Sequence, residues 1–171
     1  LTLTYPNLIQ APSSPAAQIR DLVNWINEDR TPADQVIVIH EKGYEMSEEN
    51  VIASQMLENT GIPYRSFSYS ILEGREITTS LESLMNPETG NKVLVLSESE
   101  AFVNDVIRNL NLMIYNGYDI VLYGPSRIRS FETIETDNLH NVNLHTSVSY
   151  FIDYDSEDVR KFLMEYRALF N

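Results

Sequence analysis

The sequence lacks cysteine and is poor in basic side chains. Among its 171 residues there is no Cys, which excludes disulfides, thiolate catalysis and cysteine-ligated metal sites. Lys and Arg number 12 against 25 Asp and Glu, so the formal net charge is −13. Nucleic acids and anionic membranes repel such a chain unless it carries a dense basic patch, and the densest basic cluster is Arg127 with Arg129. We therefore expect no nucleic-acid partner.

Long apolar runs are missing as well. No run approaches the roughly 20 residues needed to cross a bilayer, so no membrane-spanning segment is predicted in these residues. The chain begins at Leu1 rather than Met and has no signal-peptide pattern, which we interpret as a piece of a longer protein whose targeting segment lies elsewhere. Hydrophobic residues nevertheless make up 43% of the chain, enough for the core of one globular domain.

Short apolar runs alternate with longer helical periods. Residues 36–39, 92–96 and 119–123 are rich in Val, Ile and Leu, which is typical of strands buried on both faces. Weaker strands are predicted over residues 64–70 and 143–150. Helices are predicted to begin at Ser14, Ser47, Thr78 (running over 78–86), Glu100 and Asp155, with an extended lead-in over 1–5 and loops over 73–79 and 86–91.

This alternation defines the predicted fold. Strands that are separated by helices pair in parallel through right-handed crossovers. We predict an α/β fold, an open, mostly parallel twisted sheet of about five strands in the order 2-1-3-4-5, with helices on both faces as a three-layer sandwich. Residues 1–171 are predicted to form a single domain.

The motifs of common α/β enzymes are absent. No Gly-x-Gly-x-x-Gly dinucleotide fingerprint, no Gly-Lys-Ser/Thr phosphate loop and no Gly-x-Ser-x-Gly nucleophile elbow occurs in the sequence. An enzyme with an unrecognised site would need a nucleophile beside a base, and the sequence offers no such pair. We therefore expect no catalytic residues and no cofactor.

Two groups of side chains resemble metal ligands but have simpler interpretations. His140 and His145 fall near or within the predicted final strand, where their odd spacing sends the two side chains to opposite faces. His40 ends the first buried strand and is interpreted as structural. The second group consists of four carboxylates, Glu41, Glu45, Glu48 and Glu49. They fall in a loop and the first turn of a helix, where negative charge interacts favourably with the helix dipole, so no metal is expected.

A ligand site is predicted beyond the carboxyl ends of the strands. In open parallel sheets, ligands bind there, near the point where the strand order reverses. Three loops follow the buried strands at that end, over residues 40–44, 97–99 and 124–127, and they carry aromatic, hydroxyl and charged side chains. Such groups can stack on and hydrogen-bond a small polar ligand. The alternative is that they are only polar ends of the strands.

The order of these segments resembles a known family. Five segments are together similar to the second lobe of type I periplasmic binding proteins. They are residues 5–7 before a helix, 36–44, 93–98, 120–125, and 150–156 before a helix that ends at Arg167. These are the leucine/isoleucine/valine-binding proteins and related amino-acid receptors, the substrate-binding components of ABC transporters. The resemblance covers nearly the whole chain.

The resemblance implies a non-catalytic lobe that binds an amino-acid-like or other small polar solute in a cleft shared with a first lobe. It implies ligand contacts from Tyr44, Ser97, Glu98, Ser126 and Arg127, and a location in the periplasm or cell envelope. Family members that bind amino acids often have an acidic residue after the Gly-Pro of the fourth strand. Here Ser126-Arg127 stands in its place, so that loop supplies no carboxylate for a ligand's α-ammonium group.

An alternative function follows from the same resemblance. The sequence also resembles a branch in which such a lobe sits behind LysM peptidoglycan-binding segments, which implies an envelope interaction or scaffold module that has lost solute binding. Its partner would be peptidoglycan or an envelope protein. The solute-binding hypothesis predicts that Tyr44 and Ser126 face one volume. The scaffold hypothesis predicts a site filled by its own side chains, or an exposed apolar patch.

Overall fold

The computed structural model describes residues 13–74, 76–148 and 155–170. The chain divides into two compact units. One is Ser14–Ser147, and the other combines Leu1–Ser13 with Val148–Asn171. The predicted lead-in over residues 1–5 and the family-like residues 150–154 lie outside the described residues. No helix in the described ranges is long and apolar enough to cross a membrane.

The larger unit alternates helices and strands in chain order, as predicted. Short 3-10 turns over Ile71–Glu73 and Ser126–Ser130 follow the second and fourth strands. The elements are α1 (Pro15–Asp29), β1 (Gln35–Glu41), α2 (Glu48–Asn59), β2 (Arg65–Tyr69), α3 (Glu76–Glu82), β3 (Asn91–Val95), α4 (Glu100–Tyr115), β4 (Ile120–Gly124), α5 (Thr136–Asn141) and β5 (His145–Thr146).

The five strands form one parallel sheet in the order β2-β1-β3-β4-β5. Ile37 lies opposite Val93, and Val93 lies opposite Leu122. Strands β3 and β4 are buried along their whole length, which explains why residues 93–95 and 120–123 are apolar without alternation. The predicted strand order is confirmed.

Helices cover both faces of the sheet and complete the predicted three-layer sandwich. Alternate residues of β1 serve different cores, because successive strand side chains point to opposite faces. Val36 and Val38 pack with α1 and α2, whereas Ile37 and Ile39 pack with α3 and α4. Burial of these two apolar sets is the main source of the fold's stability.

Serine side chains start the longest helices and fix where they begin. The Ser14 hydroxyl accepts from the Ala17 amide at 3.2 Å, and the Ser99 hydroxyl accepts from the Phe102 amide at 3.3 Å. Ser47 accepts in the same way from the Asn50 amide at 3.4 Å. A capping hydroxyl of this kind satisfies one of the free amides of the first turn and contributes about 1 kcal/mol.

Several predicted boundaries were wrong. Helix α3 starts at Glu76 rather than Thr78, because Gly74 ends the preceding turn at a φ of 72°, and α3 ends at Glu82. Its first turns therefore occupy part of the loop predicted over 73–79. Strand β5 is only two residues long, since Asn143 adopts a φ of 47°, which is incompatible with a strand.

The smaller unit contains helix α6, Glu157–Phe170. The Ser156 hydroxyl accepts from the Val159 amide at 3.3 Å, so Ser156, not Asp155 as predicted, supplies the contact to the first turn. Asp155 instead pairs with Arg160 at 2.8 Å. The Phe162 and Tyr166 rings pack on each other with centroids 6.2 Å apart.

Candidate functional site

The loops after β1, β3 and β4 meet at the carboxyl end of the sheet, as parallel pairing requires. The turn after β4 depends on Gly124. A Cβ atom there would lie 2.3 Å from Cδ1 of Ile128 and 3.2 Å from the carbonyl oxygen of Val95. Only glycine lets the Ser126–Ser130 turn fold back this closely over the end of β3, and this places Arg127 above the neighbouring loops.

A groove with a volume of about 610 Å³ opens at this end of the sheet. We call it the Tyr44 groove. Tyr44 and Leu96 supply its apolar surface. Its polar lining consists of three hydroxyls and four carboxylates, from Ser47, Ser97, Ser99, Glu41, Glu48, Glu49 and Glu98.

Tyr44 has a fixed backbone and an exposed ring. Its amide donates to the Glu41 carbonyl at 2.9 Å, and its carbonyl accepts from the side-chain amide of buried Asn50 at 2.9 Å. Gly43, with a φ of 92°, makes the tight turn just before it. The side chain itself remains 63% exposed. The groove therefore presents an aromatic side chain from an ordered loop, with little backbone entropy to lose on binding.

Ser97 is engaged within the protein rather than free for a ligand. It is only 8% exposed, and its hydroxyl donates to Oε2 of Glu41 at 3.0 Å. The Ser97 hydroxyl oxygen also accepts from the Ser99 amide at 3.1 Å. Ser97 therefore holds the Glu41 carboxylate at the floor of the groove, between the ends of β1 and β3.

Arg127 joins its own turn after β4 to the loop after β3 and to the first turn of α2 through its guanidinium group. Nη2 lies 2.6 Å from Oε2 of Glu49, and Nη1 lies 3.4 Å from Oε1 of the same carboxylate. Nη1 also contacts Oε1 of Glu98 at 3.2 Å, while Nε donates to the Ser97 carbonyl at 3.3 Å. The predicted ligand residue Arg127 thus already binds two carboxylates and a backbone oxygen.

Ser126 lines a different, smaller volume. This Ser126 pocket measures about 160 Å³ and also contacts Pro125 and Arg127. It shares only Glu49 and Leu96 with the Tyr44 groove. Tyr44 and Ser126 therefore line different volumes, contrary to the expectation, and Glu49, the partner of Arg127, lies on the wall of both.

The charge of the Tyr44 groove is strongly negative. Four carboxylates line it, and Arg127 is the cation that contacts two of them, Glu49 and Glu98. Sequence analysis had assigned Glu48 and Glu49 only to the helix dipole. The signal that they line the site was their place directly after Ser47, at a helix start next to the end of β1.

The histidines and remaining acidic residues do not form a metal site in the part of the chain that the structure describes. His40 is buried, and this burial lowers its pKa. Glu45 accepts from the Ser68 hydroxyl and from the Gly43 amide, and these hydrogen bonds lower its pKa. His140 lies on α5 and His145 on β5, so the argument that one strand sends them to opposite faces was wrong.

Comparisons with known proteins agree on the fold. No protein-family model and no curated protein sequence matches the chain. Full-length LpoA from Haemophilus influenzae matches with a TM-score of 0.58 and 14% identity, over 90% of this chain and 27% of that one. A substrate-binding periplasmic protein from Ralstonia solanacearum matches with a TM-score of 0.57 and 11% identity, over 98% of this chain and 47% of that one.

A third structure, described as a branched-chain amino acid ABC transporter protein from Rhodospirillum rubrum, matches with a TM-score of 0.53 and 12% identity. It is matched over 94% of this chain and 44% of its own length. The chain thus spans less than half the length of each of these three structures. The predicted resemblance to type I periplasmic binding proteins is confirmed at the level of the fold.

Proposed function

We propose that residues 1–171 form one solute-binding, non-catalytic lobe of a two-lobed receptor that resembles the periplasmic binding proteins and works in the periplasm or cell envelope. The observation that carries this proposal is the Tyr44 groove. It lies at the carboxyl end of a parallel sheet, where ligands bind in such folds, and its volume of about 610 Å³ is in the range of small-ligand sites.

The lining of the groove favours a ligand that carries an ammonium group. Glu41 and Glu48 are carboxylates on its wall that do not pair with Arg127, and the ring of Tyr44 offers a face for a cation or an apolar chain. Glu41 thereby supplies, from β1, the acidic group that the loop after β4 lacks. An amino-acid-like solute or another small amine meets these requirements.

The roles of the five predicted site residues differ in this proposal. Tyr44 and Glu98 contact the ligand directly from the groove wall. Ser97 acts through Glu41, which it holds by its hydrogen bond of 3.0 Å. Arg127 shapes the groove by binding Glu49, and Ser126 contacts only the smaller pocket beside it.

A catalytic function is not favoured by this arrangement. Ser97 and Glu41 are the nearest approach in the groove to a nucleophile with a base. The Ser97 hydroxyl is buried, however, and it also accepts from the Ser99 amide, which ties it to the start of α4. A reacting serine needs access to the substrate, so we interpret this pair as structural.

The test is a thermal-shift screen of the chain with amino acids, small peptides, nucleosides and muropeptides. A ligand at about 100 times its dissociation constant adds about 2.7 kcal/mol of stability. That corresponds to a shift of several degrees at roughly 2–4 °C per kcal/mol. Each amino compound is paired with its des-amino analogue, such as leucine with 4-methylpentanoate, and only the amino compound should raise the midpoint.

Tyr44→Ala should abolish the shift, and Tyr115→Ala is the matched control. Tyr115 is 89% exposed and lies at the far end of α4, away from the groove. Loss of the shift in both variants, or equal shifts with the des-amino compounds, would count against the proposed site.

One observation favours the scaffold alternative, an envelope interaction module of a LysM-type protein. Large apolar side chains are exposed in the loops after β1 and β2, and the Lys42–Glu73 ion pair of 2.7 Å joins these two loops. These exposed side chains are Tyr44, Met46, Ile71 and Leu72. Exposed apolar patches often mark protein interfaces.

Co-sedimentation with purified peptidoglycan separates this alternative from solute binding. The scaffold hypothesis predicts that the chain pellets with peptidoglycan, and that Met46→Ser with Leu72→Ser prevents this. Under the solute-binding hypothesis the chain stays in the supernatant, and the same double variant retains the ligand-induced thermal shift.

A further inference from the structure

A second groove runs along the last strand of the sheet, outside the Tyr44 groove and the Ser126 pocket. Its volume is about 740 Å³, and none of its lining residues belongs to either of the other two volumes. We call it the Trp25 groove. The side chains that matter for its chemistry are Trp25, Arg129, Thr136, His140, Asn143 and His145.

Trp25 forms a fixed aromatic platform in this groove. Its ring stacks on the His145 ring with centroids 4.4 Å apart and an interplanar angle of 20°. Buried Tyr123 meets both rings edge-on, at 6.1 Å from Trp25 and 5.1 Å from His145. Trp25 nevertheless remains 40% exposed. A large ring that is held by neighbours and still open to solvent can stack on the flat face of a ligand.

His145 contributes a ring rather than a charge. Burial lowers its pKa from the ordinary value of 6.5, which leaves the imidazole mainly neutral at neutral pH. Its stacking on Trp25 therefore needs no counter-charge. Exposed Arg129 instead supplies the positive charge in the lining of the groove.

The charge of this groove is opposite to that of the chain. Among the described residues no Asp or Glu lines it, although the sequence contains 25 of them. The Arg129 side chain is exposed, and its guanidinium group makes no hydrogen bond or ion pair with any residue that the structure describes. Arg127, two residues earlier in the same turn, is by contrast bound to Glu49 and Glu98. A guanidinium group with all its donors available suits a carboxylate.

We propose that the Trp25 groove binds a ring-bearing organic carboxylate, with the ring against Trp25 and the carboxylate on Arg129. Thr136 and Asn143 line the same groove and can hydrogen-bond further polar groups of the ligand. This site is separate from the one in the proposed function, and it would stand even if the Tyr44 groove bound nothing.

Trp25 is the only tryptophan of the chain, so its fluorescence reports on this groove alone. The experiment titrates the chain with benzoate, benzylamine and benzyl alcohol, which share a ring and differ in charge. Benzoate should change the emission saturably and with the highest affinity. That order runs against the overall charge of −13, which attracts benzylamine. Equal or tighter binding of benzylamine would overturn the proposal.

The matched variants are Arg129→Gln and Arg108→Gln, which remove the same charge from two exposed positions. Arg108 lies on α4 and does not line the groove. Loss of a charge-assisted pair should weaken benzoate binding about tenfold or more in Arg129→Gln. Arg108→Gln should bind as the parent does. Equal affinities in all three proteins would remove Arg129 from the site.

Collisional quenching keeps the proposal testable if benzoate binds too weakly to saturate. Each quenching constant is divided by that for free tryptophan, since iodide is intrinsically the stronger quencher. On this scale iodide should quench Trp25 more effectively than caesium, because a local positive charge concentrates the anion. Arg129→Gln should reverse this order, whereas acrylamide, which is neutral, should quench both proteins equally. Stronger quenching of the parent by caesium than by iodide would contradict a positively charged groove.

Discussion

Removal of the Arg127–Glu49 ion pair tests how the carboxyl end of the sheet is organised. The two side chains are 28% and 24% exposed, and their contacts at 2.6 and 3.4 Å form a bidentate pair. Hydrogen bonds to charged groups contribute about 1.5–3 kcal/mol when they are buried, and solvent screening reduces this value. We expect Glu49→Gln to lower the free energy of unfolding by about 1–2 kcal/mol.

The coupling is measured by a double-mutant cycle of Glu49→Gln and Arg127→Gln in urea unfolding. A coupling energy of about 1 kcal/mol is expected, since the other partners of Arg127 among the described residues are exposed Glu98 and the Ser97 carbonyl. The control cycle on Lys42 and Glu73, an exposed pair, should show coupling within the error of the measurement. A zero coupling for Arg127 with Glu49 would refute the idea that this pair holds the turn after β4 against the start of α2.

Three further predictions concern stability. Gly124→Ala should destabilise the fold by about 1–3 kcal/mol in urea, because the added methyl group would meet Ile128, and unchanged stability would contradict the close turn. Leu94→Ala should cost about 2–5 kcal/mol, whereas Leu112→Ala, at an exposed position, should change stability by less than about 0.5 kcal/mol. Burial lowers the pKa of His40 in the fold, so the unfolded chain binds more protons. The free energy of unfolding should therefore decrease as the pH is lowered from about 7 to about 5.5. That slope should be smaller in His40→Gln, and an equal slope would exclude His40 as its source.

The strands, the strand order and most helix starts could be predicted from the sequence because their signals are local. The apolar run of residues 36–39 predicts a buried strand on its own, and Ser14 and Ser47 mark helix starts before apolar faces. Helix α5 was missed because none of its residues is buried, so no apolar period marks it. Strand β5 was predicted too long, since its sequence does not show that Asn143 takes a positive φ.

For the candidate site, the sequence could predict the position in the fold but not the contacts between its side chains. Parallel topology alone places Tyr44, Ser97 and Arg127 at one end of the sheet. The partner of Arg127 is Glu49, which is 78 residues away in the chain, and no local pattern shows this pairing. The Trp25 groove was missed for the same reason, because it depends on contact between Trp25 on α1 and His145 on β5.

The central claim, that the Tyr44 groove binds a small amino compound, is tested most directly by amide NMR of the isotope-labelled chain. A mixture of the protein amino acids is titrated into the parent and into Tyr44→Ala. We expect shifts confined to amides in residues 41–49 and 96–99, and their loss in the variant. Shifts that lie elsewhere, or that persist in Tyr44→Ala, would contradict it.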